Sequence, residues 1–149
     1  MFKIYYSTPF CYLSLQSDGK TLIQLDFCDD KGEEKSCEIL LQACKELDLY
    51  FLGKLKKFSI PLRVQGSKFE QKVYQALMQI PYGKTATYKE IAQNINHPKA
   101  FRAVGNANSK NQLPIFIPCH RVVASNGIGG YNGGIKIKKF LMELERKFI

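Results

Sequence analysis

No apolar run in the 149 residues reaches the roughly 18 that a membrane span requires. The start, Met1-Phe2-Lys3-Ile4-Tyr5-Tyr6-Ser7, has neither the charged opening nor the unbroken apolar core of a signal peptide, so none is expected. The five cysteines (11, 28, 37, 44 and 119) are odd in number and contain no CxxC spacing. That pattern indicates neither a disulfide framework nor a zinc ribbon, and free thiols in a reducing, cytoplasmic (or nuclear) setting are expected. Hydrophobic residues at 45% and charged residues at 23% exclude wholesale disorder. Acidic residues are the scarce charge: thirteen Asp and Glu stand against twenty-two Lys and Arg, a net charge of +9.

The deficit is local. Residues 1–67 carry nine basic and nine acidic side chains, residues 68–98 four and two, and residues 99–149 nine and two. A neutral N-terminal piece and a basic C-terminal piece suggest two units with different work, the second facing a polyanion.

The N-terminal piece reads as three short strands, within 2–6, 11–15 and 21–27, with a turn at Ser17-Asp18-Gly19-Lys20. Ile39, Leu40, Ala43, Leu47 and Tyr50 then repeat at helical spacing between Ser36 and Leu52, and Gly53 stops the helix. Residues 58–64 read as a connecting segment.

The second piece is helical. Ser67-Lys68-Phe69-Glu70 and Thr87-Tyr88-Lys89-Glu90 are capping boxes, each opening an amphipathic helix. Pro98 marks the start of a third helix that runs to about Ser109. Two short helices with a tight link form a helix-turn-helix pattern. On a wheel of the third helix Ala100, Phe101, Ala103, Val104 and Ala107 fall inward, and Arg102, Gly105, Asn106 and Ser109 outward. Small residues around one Arg suit a nucleic-acid groove; a solvated face fits the spacing equally well. A last helix directs Ile137, Phe140, Leu141 and Leu144 inward, with Glu145 at the border of that face and Glu143 in solvent.

Chemistry concentrates in Ile115-Phe116-Ile117-Pro118-Cys119-His120-Arg121-Val122-Val123. The apolar run reads as extended, ending at a Pro that delivers adjacent Cys, His and Arg. A thiolate is the reactive form of cysteine, and a nearby base or positive charge promotes it. Neighbours on an extended segment point oppositely, so a water would relay the proton from Cys119 to His120. Taken alone, a Cys-His dipeptide is more often a buried Cys beside a hydrogen-bonded His. The side-chain-poor loop of residues 127–134, Gly-Ile-Gly-Gly-Tyr-Asn-Gly-Gly, would let a flat ligand approach backbone amides.

With these residues in view, the chain resembles the O6-alkylguanine-DNA alkyltransferase family. The resemblance covers roughly residues 67–146. It rests on Pro118-Cys119-His120-Arg121-Val122, on Asn111, on Arg102-Ala103-Val104-Gly105 and on Tyr131-Asn132-Gly133-Gly134. It implies an α+β protein: a small α/β, ribonuclease H-like supporting domain (1–66), and a helical domain (67–149) with a winged-helix-like helix-turn-helix unit that binds DNA and accepts the alkyl group. The implied partner is double-stranded DNA containing O6-alkylguanine, with O4-alkylthymine a further candidate lesion; no membrane partner is implied, and a monomer is expected.

The resemblance also implies roles. Cys119 would be the alkyl acceptor, His120 its base through a water, Glu145 the group holding the imidazole tautomer, and Asn111 the brace of the active-site turn. Arg102 would enter the base stack in place of the flipped nucleotide, with Ala103, Gly105, Asn106 and Ser109 along the minor groove. Tyr88 would contact the target nucleotide and donate a proton toward the leaving base. The carbonyls of Cys119 and Val122 would accept from its amine, Pro114 and Tyr131 would wall the pocket, and the Asn132 amide would donate to O6. The chain departs from the family at Asn132, where a serine is usual, and in a loop one residue short before it. Only His97 and His120 are present, so the zinc site of some relatives is not expected; neither metal nor cofactor is implied.

Three rivals are weaker. A non-catalytic alkyltransferase-like protein would lack the acceptor Cys. A helix-turn-helix regulator would not need the Pro-Cys-His-Arg segment. A cysteine hydrolase would need a separate His with an Asn or Asp partner.

Overall fold

The computed structural model describes residues 1–149, which divide into two units, Met1–Val64 and Gln65–Ile149. In the first, β1 (Phe2–Ser7), β2 (Tyr12–Ser17) and β3 (Leu22–Cys28) form an antiparallel sheet in the order β1-β2-β3. Ile4 pairs with Leu15, and Leu15 with Leu25, so one buried apolar row crosses all three strands. The β2–β3 turn is closed by Asp18, whose Oδ1 accepts from the backbone N–H groups of Lys20 and Thr21.

Helix α1 (Glu38–Phe51) buries Leu40, Ala43, Leu47 and Tyr50 against that sheet. Each fully buried leucine contributes about 1.5–3 kcal/mol relative to exposure. Residues 58–64 do more than connect. Leu62 bridges Leu22, with Leu22 N–H donating to Pro61 O and Arg63 N–H to Leu22 O, which covers one sheet edge. Lys35 pairs with Lys3 along the other.

In the second unit both capping boxes are formed. Ser67 Oγ accepts from Glu70 N–H at the start of α2 (Lys68–Met78), and Thr87 Oγ1 from Glu90 N–H at the start of α3 (Tyr88–Asn94). α4 (Phe101–Ser109) packs against both and buries Val104 and Ala107, as α2 buries Val73 and Leu77 and α3 buries Ile91. Tyr74 Oη donates to Ala107 O at 2.9 Å, tying α2 to α4. A short parallel pair, β4 (Ala86–Thr87) and β5 (Val122–Val123), joins the start of α3 to the segment after Cys119. α5 (Ile135–Lys147) closes the chain. No helix is long and apolar enough to cross a membrane.

Four expectations need correction. α4 starts at Phe101 rather than Pro98, because residues 98–99 form a turn. Its inner face is consequently centred on Val104, Ala107 and Asn108, while Phe101 and Ala103 are exposed, Phe101 lying under the Lys89 ammonium. In α5 the inner positions are Ile137, Lys138, Leu141 and Glu145, and Phe140 is 37% exposed. This helix serves a polar site, so its inner face rotates toward Lys138 and Glu145, and Glu145 is buried rather than at a border. Finally, the run before Cys119 is no strand. It folds back on itself, with Ile117 N–H donating to Leu113 O and Ile115 at a φ of 75°. A β-branched residue there costs on the order of 1–3 kcal/mol, which the surrounding packing sustains.

Candidate active site

The turn before Cys119 is held by a side chain. Asn111 Oδ1 accepts from Leu113 N–H and Asn111 Nδ2 donates to Ile117 O, both at 2.9 Å. These bonds satisfy backbone groups that a strand would pair with a neighbour. Cys119, His120 and Arg121 then form a single 3-10 turn rather than an extended segment, and all three are buried.

His120 Nε2 lies 2.6 Å from Glu145 Oε2, and His120 is wholly buried. Glu145 also accepts from Arg121 Nε at 2.8 Å, Arg121 Nη2 at 3.1 Å and Gly83 N–H at 3.1 Å. Arg121 Nη1 donates to Ile80 O at 2.8 Å, which completes the guanidinium. Gly83 has a φ of 78°, a left-handed conformation that favours glycine where the amide meets Glu145.

Burial disfavours the charge on Glu145, but the hydrogen bond from His120 and the Arg121 guanidinium hold its carboxyl well below the usual carboxylate range. Burial keeps the His120 imidazole below its ordinary value, against the pull of Glu145 and with the help of Arg121 and Lys138. The consistent state is a neutral His120 donating Nε2–H to an ionised Glu145. Nδ1 is then the acceptor nitrogen, and it is buried without a protein partner.

Beside this triad a cavity of about 70 Å³ is lined by Tyr88, Gly105, Asn108, Ser109, Cys119 and the Gly130–Asn132 stretch. Burial pushes the Cys119 thiol up to about 11, opposed by Asn111 and by the charge of Lys138. Tyr131 stands edge-on to the His120 ring at 6.5 Å. Tyr88 Oη accepts from Gly130 N–H at 3.4 Å. Gly129 has a φ of 79°, and a Cβ there would fall 2.7 Å from Tyr88 Oη, so only glycine lets the loop approach Tyr88.

Of the residues singled out from sequence, Tyr88, Gly105, Ser109, Cys119, Tyr131 and Asn132 therefore line one cavity. His120, Glu145 and Asn111 support it from behind. Arg102, Ala103 and Asn106 lie exposed on α4, and Pro114 and Val122 are buried outside the cavity lining. The carbonyls of Cys119 and Val122 already receive Asn108 Nδ2 (3.5 Å) and Lys138 Nζ (2.5 Å), each retaining a second lone pair.

Sequence reasoning missed Asn108, Lys138 and the function of Arg121. Lys138, Leu141 and Glu145 are spaced three and four apart, which places them on one helix face. A lysine on that face reads as solvated, so the spacing carried no warning.

Residues 68–147 match the DNA binding domain of 6-O-methylguanine DNA methyltransferase, and residues 1–64 match its ribonuclease-like domain. A methylated-DNA–protein-cysteine methyltransferase of Methanosarcina acetivorans is 41% identical over 97% of this chain and 98% of its own. One from Saccharolobus islandicus is 43% identical over 94% and 92%. The Mycobacterium tuberculosis O6-methylguanine methyltransferase structure superposes with a TM-score of 0.90 at 37% identity, covering 99% of this chain and 94% of that one. The same organism's OGT in complex with DNA gives 0.89 at 38% identity, over 97% and 92%. The fold and site thus define a methyltransferase of direct DNA repair, which moves an alkyl group from DNA to a cysteine of the protein. The chain belongs to the O6-methylguanine DNA methyltransferase family.

Proposed function

We propose that Cys119 is the acceptor of the alkyl group, taken from O6-alkylguanine in double-stranded DNA, with O4-alkylthymine a second possible lesion. The observation that carries this reading is the 2.6 Å bond from His120 Nε2 to Glu145, which leaves Nδ1 as a buried base beside the Cys119 cavity.

The thiol proton passes through a water to His120 Nδ1, and the resulting imidazolium is stabilised by Glu145. The sulfur attacks the alkyl carbon in line. The C–S bond forms as the C–O6 bond breaks, the electron pair goes to guanine, and the Tyr88 hydroxyl supplies the proton that the leaving base takes up. A thioether is not readily hydrolysed, so the protein acts once. Asn111 braces the turn that aims the sulfur.

A cavity of about 70 Å³ is far below the roughly 300–1,000 Å³ of ligand pockets, so a purine enters only when the 127–134 loop and Tyr131 yield. Tyr131 and Pro114 then wall the base, the Cys119 and Val122 carbonyls accept from its amine, and the Asn132 amide meets O6. Extruding a base costs about a few kcal/mol, least for a poorly paired one, and alkylation at O6 weakens pairing. Residues 67–149 form the DNA-binding and acceptor domain, and residues 1–66 support it. The working form is a monomer, cytoplasmic or nuclear as its DNA dictates.

On α4, Arg102 fills the vacated stack while Ala103, Gly105, Asn106 and Ser109 track the minor groove. Arg102→Ala should slow repair of a duplex much more than reaction with free O6-methylguanine, measured by single-turnover rates; equal losses would remove the finger role. Binding should weaken as salt rises, because phosphate contacts release counterions.

Intact-mass and peptide analysis after mixing with a duplex carrying one O6-methylguanine tests the whole reading. One methyl should appear on the Cys119 peptide and saturate at one per protein. Repeated turnover, or methylation at Cys11, Cys28, Cys37 or Cys44, would refute it.

A further inference from the structure

Lys138 is a lysine with no access to solvent, in the first turn of α5. Its ammonium donates to Val122 O at 2.5 Å and Gly130 O at 3.1 Å, and no carboxylate pairs with it. Two carbonyls satisfy hydrogen bonds but not charge, and a buried cation without an anion is costly.

The groups facing it narrow the choice of anion. The 3-10 turn presents Cys119 and His120, and α3 presents the Tyr88 hydroxyl across Gly129. Tyr131 on the loop packs edge-on to His120. Glu145, on α5 itself, is already matched by the Arg121 guanidinium. Lys136 and Lys139, its neighbours on α5, are exposed and of the same sign. Of the groups facing Lys138, Tyr88 and Tyr131 are phenols, which ordinarily titrate at about 10, and Cys119 is a thiol, which ordinarily titrates at about 8.5, so the thiol is the more acidic source of a negative charge.

We propose that the Lys138 ammonium is the counter-charge of the Cys119 thiolate, held at the pocket by the Val122 and Gly130 carbonyls so that removal of the thiol proton leaves a neutral buried pair. The proposal rests on Cys119 being the reacting thiol. It adds a cation for the sulfur itself, since the imidazolium formed when His120 takes the proton is balanced by Glu145. The coupling runs both ways: burial pushes Lys138 down to about 8 and Cys119 opposes that shift, while Lys138 opposes the upward shift of the thiol. During transfer below about pH 8 Lys138 keeps its proton and only the thiol proton moves.

The test is a thiolate-absorbance titration of the full chain, with the Cys119→Ser signal subtracted to isolate Cys119. In a Lys138→Met background, with the matching double variant as its blank, the midpoint should rise by about one pH unit or more, an approximately tenfold loss of thiolate at a given pH. An unchanged midpoint would overturn the proposal. Should Lys138→Met not fold, the Lys138 side chain can be titrated by NMR in the natural chain and in Cys119→Ser. Linkage requires Lys138 to lose its proton at lower pH in Cys119→Ser, and identical curves would overturn the proposal. Neither measurement uses DNA, so failure of Cys119 as methyl acceptor would show only in the methyl-transfer assay.

Discussion

Cys119→Ser should yield no detectable methyl-protein after prolonged incubation with a methylated duplex, while binding to that duplex persists. The substitution changes one atom at a position that is 1% exposed, so the fold and α4 should be undisturbed. What changes is the nucleophile. Burial already pushes the thiol up to about 11, and a hydroxyl is a far weaker acid and a poorer nucleophile toward carbon than sulfur. A neutral His120 cannot generate an alkoxide at that depth. Intact-mass spectra and fluorescence anisotropy on one sample separate the two properties. Retained methyl transfer would place the acceptor elsewhere; lost binding would mean that the cysteine contributes to the fold.

The second large effect is on stability. Arg121→Met should destabilise the protein by about 3–5 kcal/mol, because it removes one partner of a buried ion pair. The guanidinium makes two bonds to Glu145 and one to Ile80 O, and without it the carboxylate retains only His120 and Gly83 from the bonds described. Glu145 would then draw charge onto His120, raising the imidazole pKa and removing the neutral base, so transfer near neutral pH should slow as well. Urea denaturation measures the first effect and the pH–rate profile the second. Glu145→Gln in the same chain should recover part of the stability, since the unpaired charge is gone. A loss below about 1 kcal/mol from Arg121→Met alone would show that the pair is solvated like a surface salt bridge.

Much of this molecule is legible along the chain. Ser67-x-x-Glu70 and Thr87-x-x-Glu90 announce their helices because a capping box is satisfied within four residues, whatever packs around it. The hairpin at Asp18 is equally local. Pro118-Cys119-His120-Arg121, with the 131–134 loop, pointed to the family to which the chain belongs and to Cys119 as the proposed acceptor. The extended reading of residues 115–117 failed because the Asn111 side chain substitutes for a partner strand, a bond invisible to hydrophobic periodicity.

The helices, the proposed acceptor thiol and the basic character of residues 99–149 follow from local chemistry: caps, periodicity and charge act over a few residues. Which nitrogen of His120 is free, which cation balances Glu145 and where Lys138 puts its charge were decided only by tertiary packing. Glu145 meets His120 across 25 positions of sequence, and Arg121 reaches Ile80 across 41. At such separations burial removes water as the alternative partner, and each charged group must find its complement in the folded chain. The scarcity of acidic residues takes on a structural meaning in that light. Of the two carboxylates in residues 99–149, Glu143 is exposed and Glu145 is committed to Arg121 and His120, which leaves the buried ammonium of Lys138 to the thiol.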